Sequence, residues 1–343
     1  MASVPWGLPD RDLDRAVERV SADLSRWRGA RVLVTGATGF LGSWLVGTLL
    51  RANEVLDLGL RLVVLTRDPT TVPLAPGPCL ELVAGDVRDL PPVGQVDAIV
   101  HGAAASASRF GVGDGEPRVM AATIVDGTRA VLDAAASSGA RVLFLSSGAV
   151  YGRQVVDAVP EDHAGGPDPL DPRSAYGEAK RMAENWCAAT TAAGEAEVVV
   201  ARLFAFVGPR LPLDRHFAAG NFLADVLASR PVRISGDGRT VRSYLYAGDV
   251  PEWLFALLSR GVPGRAYNVG SPEAVTIAEL ASRAARLADP PLPVQVIGAP
   301  SDTPASRYVP DTRRAEDELG LRPRVGLDEG LRRSLAWFAV QRG

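Results

Sequence analysis

The spacing of apolar residues along the chain changes character at Arg31. Ahead of it, Leu13, Ala16, Val17, Val20, Leu24 and Trp27 recur at helical spacing behind Asp10, a suitable N-cap. They predict a helix that packs on the rest of the protein without chemistry of its own. From Arg31 onward short β-branched runs take over, at 32–35, 62–66, 80–83, 98–100, 142–145 and 198–201. Most are apolar without interruption, as in parallel strands buried on both faces. Helical stretches at 41–52, 119–138 and 175–193 alternate with them. This alternation predicts an α/β fold, a Rossmann-type doubly wound parallel sheet whose ligand crevice opens beyond the carboxyl ends of the strands.

After Arg202 the regularity breaks at Pro209, Pro212, Pro231, Pro251 and Pro263, and again in the proline-rich stretch 289–293. The expected organisation is a helical extension over 1–28 and a dinucleotide-binding domain over 29–205. A smaller C-terminal substrate-binding lobe takes 206–244 and 270–343. Segment 245–269 rejoins the first domain, with 243–249 and 266–269 returning to its sheet.

Composition narrows the function classes. The 343 residues, 47% hydrophobic and 22% charged, suffice for a large core. A net charge of −3 without a basic stripe argues against a nucleic-acid partner. Two cysteines, Cys79 and Cys187, exclude a disulfide framework and fit a reducing compartment. Charges run throughout the first 27 residues, and no apolar run reaches 18 residues. The expectation is a soluble, cytoplasmic protein with no membrane partner. His101, His163 and His216 are widely spaced and far from any cysteine or carboxylate cluster, so no metal is expected.

The chemistry begins at Val32-Leu-Val-Thr-Gly36-Ala-Thr-Gly39-Phe-Leu-Gly42, a strand, a glycine turn and a helix start. Glycine at 36 and 39 lets backbone approach a pyrophosphate, and Gly42 permits close helix–strand contact. The free N–H groups and helix dipole then face the anion, with Thr38, Phe40 and Leu41 completing the cradle. An acid at the end of the next strand would hold an adenosine ribose and favour NAD; here Thr66 stands there, followed by Arg67, which can pair with a 2′-phosphate. NAD(P) is therefore expected, leaning toward NADP, with Asp68 close enough to keep NAD open. Asp86 and Val87, after the third strand, could clamp the adenine, although Asp86 reads equally well as a turn residue.

Tyr176-Gly-Glu-Ala-Lys180 puts two side chains one helical turn apart on one face. An ammonium beside the phenol would lower its pKa and let it exchange protons near neutral pH. Ser147, at the end of the fifth strand, would face the same crevice. Gly36–Gly42, His101-Gly-Ala-Ala, Ser147-Gly-Ala-Val-Tyr151-Gly and Tyr176–Lys180 together resemble the extended short-chain dehydrogenase/reductases. The narrower resemblance is to the NAD-dependent epimerase/dehydratase family acting on nucleotide sugars, from about Arg31 to Trp337. It implies catalytic roles for Ser147, Tyr176 and Lys180, with Tyr176 as acid/base and Lys180 also holding the nicotinamide ribose. It further implies cofactor contacts at Ala103 and Ala104. Asn221, Arg242 and Arg307 would bind the nucleotide-diphosphate part of the substrate, though Asn221 could instead cap a helix. A homodimer built on the helices at 119–138 and 175–193 is expected on the same ground.

The family divides over the fate of a 4-keto sugar. Its dehydratases and decarboxylases carry acidic residues just before Val150, where this chain has Gly148 and Ala149, side chains that move no proton. That favours an epimerase, which removes and returns hydride. UDP-glucuronate decarboxylase, 4,6-dehydratase and ketoreductase stay open, Glu161 or Asp162 being able to supply a missing carboxyl and the loop at Ser106 a further group. A non-catalytic cofactor-binding protein is the remaining alternative, since fold alone does not fix function.

Overall fold

The computed structural model describes residues 5–104, 116–214, 217–299 and 304–342. Helix α1 (Asp10–Ser25) precedes β1 (Arg31–Thr35), α2 (Phe40–Leu56), β2 (Arg61–Thr66), β3 (Leu80–Ala84) and β4 (Ala98–His101). Then come α3 (Pro117–Ser138), β5 (Arg141–Ser147), α4 (Ala175–Ala192) and β6 (Val198–Leu203). These strands, joined by β11 (Ala266–Val269), form a seven-stranded parallel sheet of order β11-β6-β5-β4-β1-β2-β3. The order reverses between β1 and β4, the kind of switch point where doubly wound sheets bind ligands. The uninterrupted apolar runs are explained by the layers. Leu33, Val63, Ile99 and Val142 face one buried cluster with α3 and α4. Val32, Val34, Val64 and Val100 face another with α1, α2 and α6 (Val250–Arg260).

The remaining elements are small pieces that precede and follow α6 and β11. Ahead of α6 come β7 (Phe206–Val207), α5 (Ala218–Leu227), β8 (Val232–Ile234), β9 (Val241–Ser243) and β10 (Leu245–Tyr246). After β11 come β12 (Ala274–Thr276), α7 (Ile277–Ala285), β13 (Val294–Val296), β14 (Arg307–Tyr308), α8 (Arg313–Leu319) and α9 (Leu327–Arg342). Ala266–Val269 joins the main sheet as its edge strand, as the sequence predicts. The segment 243–249 does not: Leu245–Tyr246 pairs with Phe206–Val207 in a separate two-stranded sheet, and Ser243 pairs with Ala274 in a third. Strand β9 lies between β12 and β14 in a third small sheet.

Helix α1 begins at Asp10 itself, which the sequence had placed at the cap. Pro9 occupies the cap position without a side-chain bond, and Asp10 and Asp12 place negative charge in the first turn, where the helix dipole favours it. The apolar face Leu13–Val17–Val20–Leu24 packs on α2 and α6, and Arg19–Asp249 (3.0 Å) and Asp23–Arg260 (2.7 Å) fasten its rim. Among the described residues no helix is long and apolar enough to cross a membrane.

Candidate active site

A cavity of about 790 Å³ lies beyond the carboxyl ends of β1, β4, β5 and β6 and reaches α5, β9 and β14. One end is the glycine turn. Gly36 has φ +77°, a region open to glycine, and a Cβ there would come within 2.6 Å of the Gly102 carbonyl. A Cβ on Gly42 would sit 2.1 Å from the Gly36 oxygen. Only glycine therefore fits at either place. Gly39 leads into α2 with no side-chain cap, leaving first-turn N–H groups free for an anion. This bare cradle fits a dinucleotide pyrophosphate, and Gly36, Gly39, Phe40, Leu41, Gly42 and Ala104 would hold it.

Not every predicted cofactor residue lines this cavity. Thr38 presents its carbonyl to Arg210 at 3.4 Å, and Ala103 donates its N–H to Thr35 Oγ1 at 3.1 Å. Arg67 is exposed, and Asp68 accepts from Thr70 N and Oγ1, which hold its carboxyl below the usual range. Asp86 engages Arg88 with both oxygens at 2.9 Å, closing a local turn, so the carboxylate reserved for an adenine already has a partner. Val87 is buried against Gly127.

The other end of the cavity brings Ser147, Tyr176 and Lys180 together. Lys180 is fully buried; its ammonium donates to the Leu145 carbonyl at 2.6 Å and lies 4.7 Å above the Phe144 ring. Burial pulls its pKa down to about 8, with the Glu184 carboxylate opposing. The tyrosine departs from expectation. Burial holds the Tyr176 phenol above its ordinary range, and the opposing influence is the Ser147 hydroxyl rather than Lys180. The lysine's ammonium donates to a backbone oxygen and is not among the influences on the phenol.

His101, at the end of β4, has a fixed proton arrangement. Thr128 Oγ1 gives its proton to the Ile124 carbonyl (2.6 Å) and so must accept from His101 Nε2 (3.1 Å); Nδ1 then accepts from Thr35 Oγ1 at 2.8 Å. Burial, and then the Lys180 charge, lower the imidazole pKa from 6.5 to about 3. As pH falls below 6.5, the unfolded chain takes up a proton that the folded one refuses. Stability from this group is full above 6.5 and is lost at about 1.4 kcal/mol per pH unit down to about pH 3. Denaturant titrations between pH 7 and 4 should show His101→Gln with a shallower slope by one proton; equal slopes would contradict the assignment.

The substrate residues separate. Arg242 lines the cavity, its guanidinium 5.7 Å from the Tyr308 ring and bonded to the Val241 carbonyl at 2.9 Å; burial lowers its pKa. Asn221 also lines it, as the fourth residue of α5; the cap is Phe217, so the capping alternative falls. Arg307 does not line it. It turns to Asp157, 3.1 Å from the carbonyl and 3.3 Å from Oδ1, because side chains alternate along β14 and its neighbour Tyr308 takes the inward place. Glu161 is held by Asn268 N (2.8 Å) and lies 3.7 Å from Arg314, away from the cavity, so it supplies no carboxyl to a substrate there. Asp162 is exposed, and Ser106 and His216 lie outside the described residues. Among the described residues no group of three His, Cys, Asp or Glu side chains could hold a metal ion.

Sequence reasoning missed Tyr308, whose hydroxyl is 3.2 Å from Ser147 Oγ, and Arg210, whose Nε is buried without a partner near the glycine turn. It also missed Glu184, which accepts from Ser146 (2.5 Å) and pairs bidentately with Arg202 (2.7–3.1 Å). Glu184 had a signal, since it stands one turn beyond Lys180 on the same helix face.

Residues 32–270 match the NAD dependent epimerase/dehydratase family. The chain belongs to that family. A curated relative, UDP-glucuronic acid decarboxylase 1 of Arabidopsis thaliana, is 34% identical over 93% of this chain and 72% of its own length. Among solved structures, the dTDP-glucose 4,6-dehydratase DesIV of Streptomyces venezuelae with NAD bound has TM-score 0.76 and 28% identity, covering 91% of this chain and 98% of that one. MoeE5, in complex with UDP-glucuronic acid and NAD, has TM-score 0.74 and 28% identity, covering 91% and 99%. This family member thus shares its fold with proteins whose names state differing reactions.

Proposed function

We propose that this family member is an NAD(P)-dependent nucleotide-sugar epimerase working through a transient 4-keto sugar, with a uridine diphosphate hexuronate as first substrate. The reading is carried by the reacting end, where the described residues supply no free carboxyl group beside Ser147, Tyr176, Lys180 and Tyr308. A Cβ on Gly148 would lie 2.8 Å from Phe204 and 2.9 Å from the Tyr308 hydroxyl, so no longer side chain fits there without displacing them. Ala149 offers a methyl group. The carboxylate among the cavity walls, Asp237, is paired with Arg239 at 2.7 Å. Elimination of water requires an additional proton donor or acceptor; epimerisation does not.

A bound nicotinamide dinucleotide supplies a hydride acceptor that can return the same hydride. Tyr176 accepts the proton of the C4 hydroxyl as that carbon is oxidised and gives it back after the sugar has turned over. Ser147 hydrogen-bonds the same oxygen, and Lys180 supplies positive charge beside the phenol once ligands fill the cavity. Arg242 and Asn221 would hold the diphosphate. The uridine and the hexuronate come from the likeness to UDP-glucuronic acid decarboxylases and to a UDP-glucuronic acid complex. The exposed Arg67 favours NADP, and Val119 and Met182, exposed on α3 and α4, suit a homodimer through those helices.

Decarboxylation is the second reading, favoured by the 34% identical relative and by the tendency of a 4-keto hexuronate to lose carbon dioxide. Incubation with catalytic NAD or NADP and a panel of nucleotide sugars separates the readings. An isomer of unchanged mass without net cofactor reduction is expected. A product lighter by carbon dioxide or water assigns a lyase, stoichiometric cofactor consumption a reductase, and cofactor binding without turnover a non-catalytic protein.

A further inference from the structure

Arg210 stands at an unfavourable place for a charged side chain. It is the third residue of the turn Gly208–Leu211, closed by the Leu211 N–H on the Gly208 carbonyl at 3.1 Å, and its φ is +71°. Glycine adopts that conformation without strain, whereas arginine does not. The turn is pinned to α2, because Trp44 Nε1 donates to the Pro209 carbonyl at 3.1 Å. From there the guanidinium reaches the glycine turn of the cofactor cradle, where Nη2 meets the Thr38 carbonyl at 3.4 Å. Trp6, from the segment ahead of α1, brings its ring to 5.8 Å from the same guanidinium.

The charge of Arg210 is not balanced among the described residues. No carboxylate there pairs with it, its Nε is buried without a hydrogen-bond partner, and the Thr38 contact is long. Burial alone acts on its pKa, lowering it. A buried cation without an anion weakens the folded chain. Backbone strain and an unbalanced charge thus meet at one residue, beside first-turn N–H groups of α2 that carry no side-chain cap. A cofactor pyrophosphate brings negative charge to that cradle, and a guanidinium suits phosphate.

We propose that Arg210 supplies the positive charge that holds the dinucleotide pyrophosphate, with Trp6 as its positioning residue. The cradle is then completed from outside Val32–Gly42: by the Gly208–Leu211 turn, and by a segment that precedes the family match at 32–270. The proposal rests on the dinucleotide reading of the cavity and not on which sugar reaction follows. A nucleotide-sugar diphosphate is the other polyanion for this cavity, but the Thr38 contact puts Arg210 at the cofactor end.

Calorimetric titration of the purified protein with NAD and NADP, and with UDP as a second diphosphate, tests this. Arg210→Gln should weaken the tighter dinucleotide about tenfold, the worth of one charged contact, and leave UDP within about twofold. Arg210→Lys, which keeps the charge, should recover most of that loss. Added salt should weaken dinucleotide binding less in the glutamine variant than in the wild type, because one screened attraction is gone. Trp6→Leu should also weaken the dinucleotide, and adding it to Arg210→Gln should change nothing more; an additive loss rejects the positioning role. Melting separates charge from structure. Without cofactor, Arg210→Gln should melt within about 2 °C of the wild type, since it breaks no ion pair. A glutamine variant that unfolds or melts far lower makes Arg210 a structural residue and overturns the proposal. An unchanged dinucleotide affinity overturns it as well, and so does a loss confined to UDP, which moves Arg210 to the substrate. A wild type that binds neither dinucleotide refutes the cofactor reading and this proposal with it.

Discussion

On the proposed reading, Tyr176→Phe should turn over the nucleotide sugar about 100- to 10,000-fold more slowly than the wild type, the usual worth of a positioned acid/base, and should bind NAD with nearly unchanged affinity. Phenylalanine fills the same volume, so the surrounding packing on α3, β5 and α4 stays in place. What disappears is the oxygen proposed to exchange a proton with the sugar. The cradle at Gly36, Gly39 and Gly42 lies at the other end of the cavity and contributes backbone rather than side chains. Single-turnover kinetics beside calorimetric NAD titration separates the two effects. A variant keeping more than a tenth of wild-type kcat would remove Tyr176 from the chemistry, and a large loss of NAD affinity would make its role one of binding.

Much of this site was legible in the sequence because its parts obey local rules. Parallel strands buried on both faces are written as unbroken apolar runs, and the glycine turn declares itself by standing between such a run and a helix. Tyr176 and Lys180 share a helix face by spacing alone. Ser147 follows from its place at the end of β5. What could not be read depends on small strands that carry almost no pattern. Strand β14 has two residues, so nothing in Arg307-Tyr308 says which side chain points inward; the arginine was expected there and the tyrosine is found. The same brevity misplaced 243–249, which the structure divides between two small sheets.

The electrostatics at the catalytic pair were also beyond the sequence. Tyr-x-x-x-Lys spacing places an ammonium near a phenol, but the hydrogen bond seen for the lysine goes to the Leu145 carbonyl. Nor does spacing reveal that Glu161 is locked by Asn268 rather than free to act on a substrate. Both are consequences of burial, which leaves a polar group no choice but its nearest partner.

Glu184→Gln should be the most damaging change outside the cavity itself. Glu184 and Arg202 are 12% and 16% exposed and joined by a bidentate contact, and Arg202 goes on to Tyr151 and the Glu161 carbonyl at 2.9 Å. Tyr151 donates its hydrogen bond to Asn268 at 2.7 Å, so one ion pair ties the ends of β5, β6 and β11 behind the site. Burial alone would pull the Arg202 pKa down; Glu184 more than offsets it. Removing that charge leaves a buried guanidinium unpaired, at a cost of about 3–5 kcal/mol of stability. The effect on chemistry has its own sign. Lys180, at about 8, is kept from falling further by Glu184, so in the glutamine variant the ammonium is lost at lower pH. The alkaline limb of the kcat/KM profile should therefore move acidward, while Glu184→Asp, which keeps the charge, should lose stability and leave the limb in place. An unmoved limb in the glutamine variant would show that Glu184 braces the sheet without setting the charge on Lys180.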